Sequence, residues 1–261
     1  MASFIPPDTD PPRWLLPVVG SLLAGAAGLV LGYAIGARPV RPPGHLPGYV
    51  YVGSMPVIPL VTPIIGVEDG ARVTKQLTEL RDVEHVILMI HTMGGILPPV
   101  VQIARAIQRH GGVRVFVPFH ALSGGTLIGL AASELWMWPH ATLGPVDPQI
   151  GPYSASSLLA VLESKPAESI DDKTLALAHE AKKALEQTLK LTREFVGDRP
   201  ELLRRLVAGE TTHSYPITVE EAKLIGLDVA VAVVDQPLGA AVRALIPPEE
   251  FESWEPPVIR R

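Results

Sequence analysis

The chain has 261 residues and no cysteine, which excludes disulfides, a thiol nucleophile and thiolate metal sites. Its formal net charge is −5, so the overall balance gives nucleic acid no footing as a partner. Hydrophobic residues make up 47 % and charged ones only 19 %, an apolar surplus that points first to a membrane segment.

That segment is found at once. After an N-terminal tail (1–13), residues 14–37 carry no charge and are dominated by Leu, Val, Ala and Gly. About 20 such residues suffice for a helix to cross a bilayer core of roughly 30 Å. Trp14 and Tyr33 stand near its ends, where aromatic rings favour the interface. A cleaved signal peptide would have a shorter apolar region and a basic start, whereas Asp8 and Asp10 accompany a single Arg13 here. Arg38 and Arg41 follow the run, so the positive-inside rule puts the remaining chain in the cytoplasm. Gly28, Gly32 and Gly36 form a smooth stripe suited to close helix approach. Residues 38–54 read as a proline-rich spacer.

Residues 55–235 read as one α/β domain. The run 57–67 is apolar and β-branched, and its prolines suggest an edge strand. Residues 70–82 have helical periodicity. The run 85–91 (HVILMIH) is short and apolar throughout, as in a buried parallel strand, and ends at Gly94-Gly95. Residues 96–109 form an amphipathic helix with Val100, Ile103, Ala104 and Ile107 on one face; Pro98 and Pro99 fit its first turn. A strand over 113–118, a Gly/Ala-rich helix over 121–132 and a strand over 135–138 complete a repeated β-α-β pattern. Helices over 172–196, 201–208 and 219–225 and a last strand over 229–234 follow, and residues 236–261 read as a tail.

Two small-residue turns lie where parallel strands end, the place α/β proteins reserve for their sites. One is Gly94-Gly95. The other is Leu122-Ser123-Gly124-Gly125, which puts a hydroxyl beside the N–H groups of a helix start. Either turn alone is as well explained by tight packing or by a serine cap. No group of residues has metal-ligand spacing, and no phosphate-binding glycine loop is present, so neither metal nor cofactor is expected.

Taken in order, the segments His91-Thr92-Met93-Gly94-Gly95, Ala121-Leu122-Ser123-Gly124-Gly125-Thr126 and Ala141-Thr142-Leu143-Gly144-Pro145-Val146-Asp147-Pro148-Gln149 resemble the Clp-protease and signal-peptide-peptidase superfamily. The closest resemblance is to its branch of serine dehydrogenase proteinases. Asp171-Asp172, Lys183-Ala184-Leu185 and Thr212-His213-Ser214-Tyr215-Pro216-Ile217 fit that branch as well. The resemblance implies a crotonase-like spiral of ββα units, assembly into homo-oligomers and a polypeptide substrate. It further implies Ser123 as nucleophile, with an oxyanion hole from the N–H groups of Gly95 and Gly124 and Gly94 shaping the turn.

The general base stays open at this level. The Clp-type histidine has no counterpart, because Val146-Asp147 stands near its place and His140 comes early. Signal-peptide-peptidase relatives use a lysine, and Lys183 stands where the branch has one. Lys165, Lys173 and Lys182 compete with it. Helical phase sets Lys183 almost opposite the Ala178–Leu185–Leu189 stripe. His213 is a further candidate, or a residue that supports local backbone, and Asp147 reads as a turn former. The expectation is a membrane-anchored serine endopeptidase with Lys183 as base; the alternative is a peptidase-like scaffold that has lost its base.

Overall fold

The computed structural model describes residues 46–233 and 236–246. The run 14–37 expected to cross the membrane lies outside them. Among the described residues, no helix is long and apolar enough to do so.

In chain order the elements are β1 (Val50–Val52), β2 (Met55–Val61), α1 (Val67–Glu79), β3 (Val86–His91), α2 (Leu97–His110), β4 (Val113–Val117), β5 (His120–Ala121), α3 (Gly124–Leu130), β6 (Glu134–Met137), β7 (Thr142–Leu143), β8 (Gln149–Ile150), β9 (Tyr153–Ser154), α4 (Ala155–Ser164), α5 (Asp172–Val196), α6 (Pro200–Val207), α7 (Val219–Leu224), β10 (Val229–Val231) and α8 (Gln236–Leu245). The main sheet runs β1-β2-β3-β4-β6-β10. Every pairing from β2 to β10 is parallel, and β1 joins β2 antiparallel.

Patterning explains this order. In β3 all six residues are buried, as a central parallel strand covered on both faces requires. In α2 the apolar face, Val100, Ile103, Ala104 and Ile107, is buried, and Gly111 stops the helix in a left-handed turn. Phe116 and Trp138 meet edge-on with ring centroids 5.4 Å apart, both fully buried within the main core. Ala155, Leu158, Ala178 and Ala181 make a second, smaller cluster where α4 lies on α5.

Three features differ from the expectations. The strand read as an edge, β2, is flanked by β1, which comes from the segment read as spacer; β1 reaches only to Val57, so Pro59 lies beyond it. The helix expected over 121–132 is only seven residues long, because residues 120–121 are taken by β5. Part of the expected tail is α8, whose Leu238, Ala241 and Val242 are buried against the main core and which packs on β1 and β2.

The segments leaving the parallel strands pair again in a second tier. Ile65 pairs with Gly95, Thr92 with Ala121, and β5 with β7, all in parallel; Leu143 closes the series antiparallel to Ile217. This tier carries the site.

Candidate active site

Ser123 sits between β5 and α3 with φ 49° and ψ −113°, and it is the one non-glycine residue with positive φ among the described residues. That conformation disfavours any side chain, costs on the order of 1–3 kcal/mol and persists only where its surroundings impose it. The surroundings do. Leu122 donates its N–H to Thr92 O at 3.1 Å, Gly125 donates back to Leu122 O at 2.7 Å, and Leu127 donates to Ser123 O at 3.1 Å. The Ser123 side chain makes no cap bond to the helix it precedes, so the hydroxyl is not spent as a plain helix cap.

Gly94 and Gly95 approach from the end of β3. Gly94 has φ 131°, and a β-carbon placed on it would lie 2.9 Å from Ser123 Cβ, so only glycine fits against the serine. A β-carbon on Gly124 would lie 3.3 Å from Gly95 N, which brings the two expected oxyanion donors together beside Ser123. Neither N–H enters a backbone hydrogen bond among the described residues. Thr92 Oγ1 accepts from Gly94 N at 3.2 Å and fixes the loop.

These groups open into a cavity of about 540 Å³. Ser123, Gly95 and Gly124 line it, together with Asp147 and His213. Asp147 is buried, with its side chain 1 % exposed; its Oδ1 lies 2.7 Å from His213 Nδ1, and its Oδ2 accepts from Gln149 Nε2 at 2.9 Å. Both loops are anchored. Val146 N donates to Leu206 O, and the paired bonds between Leu143 and Ile217 hold the His213 segment against the Asp147 segment. Thr126, fully buried on α3, reaches Gly144 O at 2.8 Å and accepts from Gly144 N at 3.1 Å, tying the serine's helix to the same loop.

Lys183 lies elsewhere. It does not line the cavity, its side chain is 64 % exposed, and it pairs with Glu180 at 2.7 Å on the outer face of α5. The α5 residues that reach the cavity are Ala184, Gln187 and Thr188. Lys165, Lys173 and Lys182 are exposed too, as is every lysine among the described residues. A lysine that works as a base needs burial to lose its proton near neutral pH. His140 is only partly covered, its ring lying against those of Trp138 and Phe119, and that partial burial lowers its pKa from the ordinary histidine value. Among the described residues no group of carboxylates and histidines can hold a metal ion. The pairing of Asp147 with His213 was not evident from sequence, because it joins residues 66 positions apart through a β-bridge that leaves no periodicity.

Two uncharacterised proteins of Methanocaldococcus jannaschii are similar to the chain. One is 42 % identical over 179 residues, covering 66 % of this chain and 63 % of the relative. The other is 37 % identical over 172 residues, covering 63 % of this chain and 59 % of the relative. The chain thus spans less than two thirds of the length of either. Residues 53–238, nearly all of the described domain, match a single family model, and the chain belongs to the ClpP-like SDH-type serine proteinases.

Proposed function

We propose that this protein hydrolyses peptide bonds through an acyl-enzyme on Ser123. The observation that carries the reading is the strained, uncapped Ser123 set against the N–H groups of Gly95 and Gly124 in an open cavity. The hydroxyl attacks a peptide carbonyl, and the two N–H groups take the charge that develops on its oxygen. Family membership supports the same chemistry. The two-tier pairing, in which β2, β3 and β4 are each followed by a short second-tier segment and then a helix, supports a crotonase-like ββα spiral.

The substrate is a polypeptide with an apolar side chain near the scissile bond. Val100, Leu127 and Val146 line the cavity, and Ile64, Met93 and Ile96 stand exposed at its edge. Asp147 and His213 are the only lining residues that can carry charge. The reading includes a single-pass tether through residues 14–37 with the domain on the cytoplasmic side, supported by the charge-free run and its flanking arginines. It also includes assembly of several copies, as the family resemblance implies.

The test is labelling of the full-length chain, purified in mild detergent, with a fluorophosphonate, followed by peptide mapping. A stoichiometric adduct on Ser123, lost in Ser123→Ala, is the expected result. A folded chain that takes no label at Ser123 refutes the assignment and favours a scaffold. Retention in the membrane pellet after carbonate washing tests the tether, and sedimentation of the detergent-solubilised chain tests assembly.

A further inference from the structure

We infer that this chain has a second binding site, for a small zwitterion with an apolar side chain, in a cavity at the far end of α3. The chemistry is that of a free apolar amino acid or a dipeptide. The inference stands apart from the reading of Ser123 as nucleophile.

The cavity measures about 380 Å³, the size of a small-molecule site, and shares no lining residue with the one that holds Ser123. It lies where the last residues of α3, the starts of β6 and β10 and the end of α5 converge. Its floor is apolar. Leu130, Leu135 and Leu227 are buried there, and Phe195 and Val196 of the last turn of α5 stand half-covered beside them. The floor is also firm, for a β-carbon on Gly129 would lie 3.3 Å from Leu135 Cδ1, so α3 and β6 are closely packed. α3 begins beside Ser123, and the two cavities therefore lie at opposite ends of one seven-residue helix about 10 Å long.

The rim carries the charge. Arg199, between α5 and α6, donates from Nη2 to Gly226 O, which ties the guanidinium to the turn two residues before Asp228. Its other N–H groups have no partner among the described residues, and neither has the Asp228 carboxylate. Arg199 and Asp228 both line the cavity, yet they do not pair with each other. Glu134, the third charged residue of the lining, is already taken by Arg114 and Trp136, and the Ser133 hydroxyl by Val113 O. A cation and an anion held apart above an apolar floor match a carboxylate and an ammonium on one molecule whose side chain points down. The planar guanidinium fork takes the carboxylate, and Asp228 accepts from the ammonium. A ligand with a single charge would meet one attracting group and one repelling group.

The test is titration calorimetry on the full-length chain in mild detergent, with L-leucine and the dipeptide Leu-Leu as probes. At least one should bind saturably with a Kd of about 1 mM or tighter, and the tighter of the two identifies the ligand as amino acid or dipeptide. Leucinamide, which lacks the carboxylate, and 4-methylpentanoate, which lacks the ammonium, should each bind at least about tenfold more weakly than leucine. Arg199→Gln and Asp228→Asn should weaken the better probe by a similar factor. Ala230→Phe, which fills the cavity from β10, should abolish its binding in a folded chain. If Arg199→Gln does not fold for want of its bond to Gly226, the two leucine analogues and Ala230→Phe decide the matter. Absence of saturable binding by both probes overturns the inference, as does equal affinity for either singly charged analogue. Binding to folded Ala230→Phe at the unaltered affinity places the ligand elsewhere and overturns it too.

Discussion

Gly95→Ala separates the oxyanion hole from the rest of the site. A β-carbon at position 95 would stand 2.5 Å from Ile65 Cβ, 2.7 Å from Ile65 O and 3.0 Å from Ile65 Cα. These are backbone and branch-point atoms of a paired segment, held by bonds from Ile65 N to Gly94 O and from Ile96 N to Ile65 O. No flexible side chain can give way, so the Gly95 peptide itself must move. Forcing an extra carbon into such packing costs about 1–3 kcal/mol. For a domain of this size that lowers the melting temperature by about 2–12 °C. The same displacement takes the Gly95 N–H off the oxyanion, and losing one such donor costs about 2.7–4 kcal/mol of transition-state stabilisation, or about 10²- to 10³-fold in rate. The assay pairs thermal melting of the full-length chain with its second-order rate of fluorophosphonate labelling. A variant that melts lower as expected but labels within about threefold of the unaltered rate would show that Gly95 is a packing glycine and not an oxyanion donor.

Other outcomes follow from the same geometry. Ser123→Gly and Ser123→Ala should both be inactive, but the glycine variant should be the more stable by up to about 2 kcal/mol, because it alone relieves the positive φ; urea unfolding measures the difference. Thr126→Val strands the buried Gly144 N–H and should cost about 1–3 kcal/mol in urea unfolding, with a fall in labelling rate as the Asp147 loop loosens. A peptide library should be cut fastest beside Leu, Met or Phe and slowest beside Asp or Lys; a preference for charged residues would contradict the apolar lining. Burial lowers the pKa of His140, so below about pH 6.5 the unfolded chain binds the proton more readily than the folded one. Stability should therefore decline as pH falls through that value, and His140→Gln should flatten the decline in pH-resolved melting.

The strands and helices that build the sheet could be read from the chain because their cause is local. The continuous apolar run of β3, the 3.6-residue stripe of α2 and the glycine stop at Gly111 each follow from neighbouring residues. The helix 172–196 was legible to the residue, since Asp171 caps it through Thr174 N and Gly197 ends it. What escaped has non-local causes. β1 exists because β2 offers it an edge, and α8 because the core offers it an apolar surface. The site divides the same way. Gly94, Gly95, Ser123 and Gly124 stand in short motifs at strand ends, whereas His213 and Asp147 meet only because Leu143 pairs with Ile217 and Val146 N reaches Leu206 O. The lysine reading took a position in a motif as its guide, although helical phase already set Lys183 away from the apolar stripe of α5, and the side chain is exposed there.

The order of strands in the main sheet, β1-β2-β3-β4-β6-β10, is also their order in the chain. Each main-sheet strand emerging from the ribosome can therefore pair with the main-sheet strand made before it, and the sheet can grow by accretion from β1 to β10. The cavity does not mature on the same schedule. Ser123 and its glycines are in place once α3 has formed, but His213 is translated only after α6, and the Leu143–Ile217 bridge that holds it comes later still. A nascent chain thus holds Ser123 beside Gly95 and Gly124 well before Asp147 and His213 can meet, and the cavity that all five line is assembled only after Ile217 has emerged.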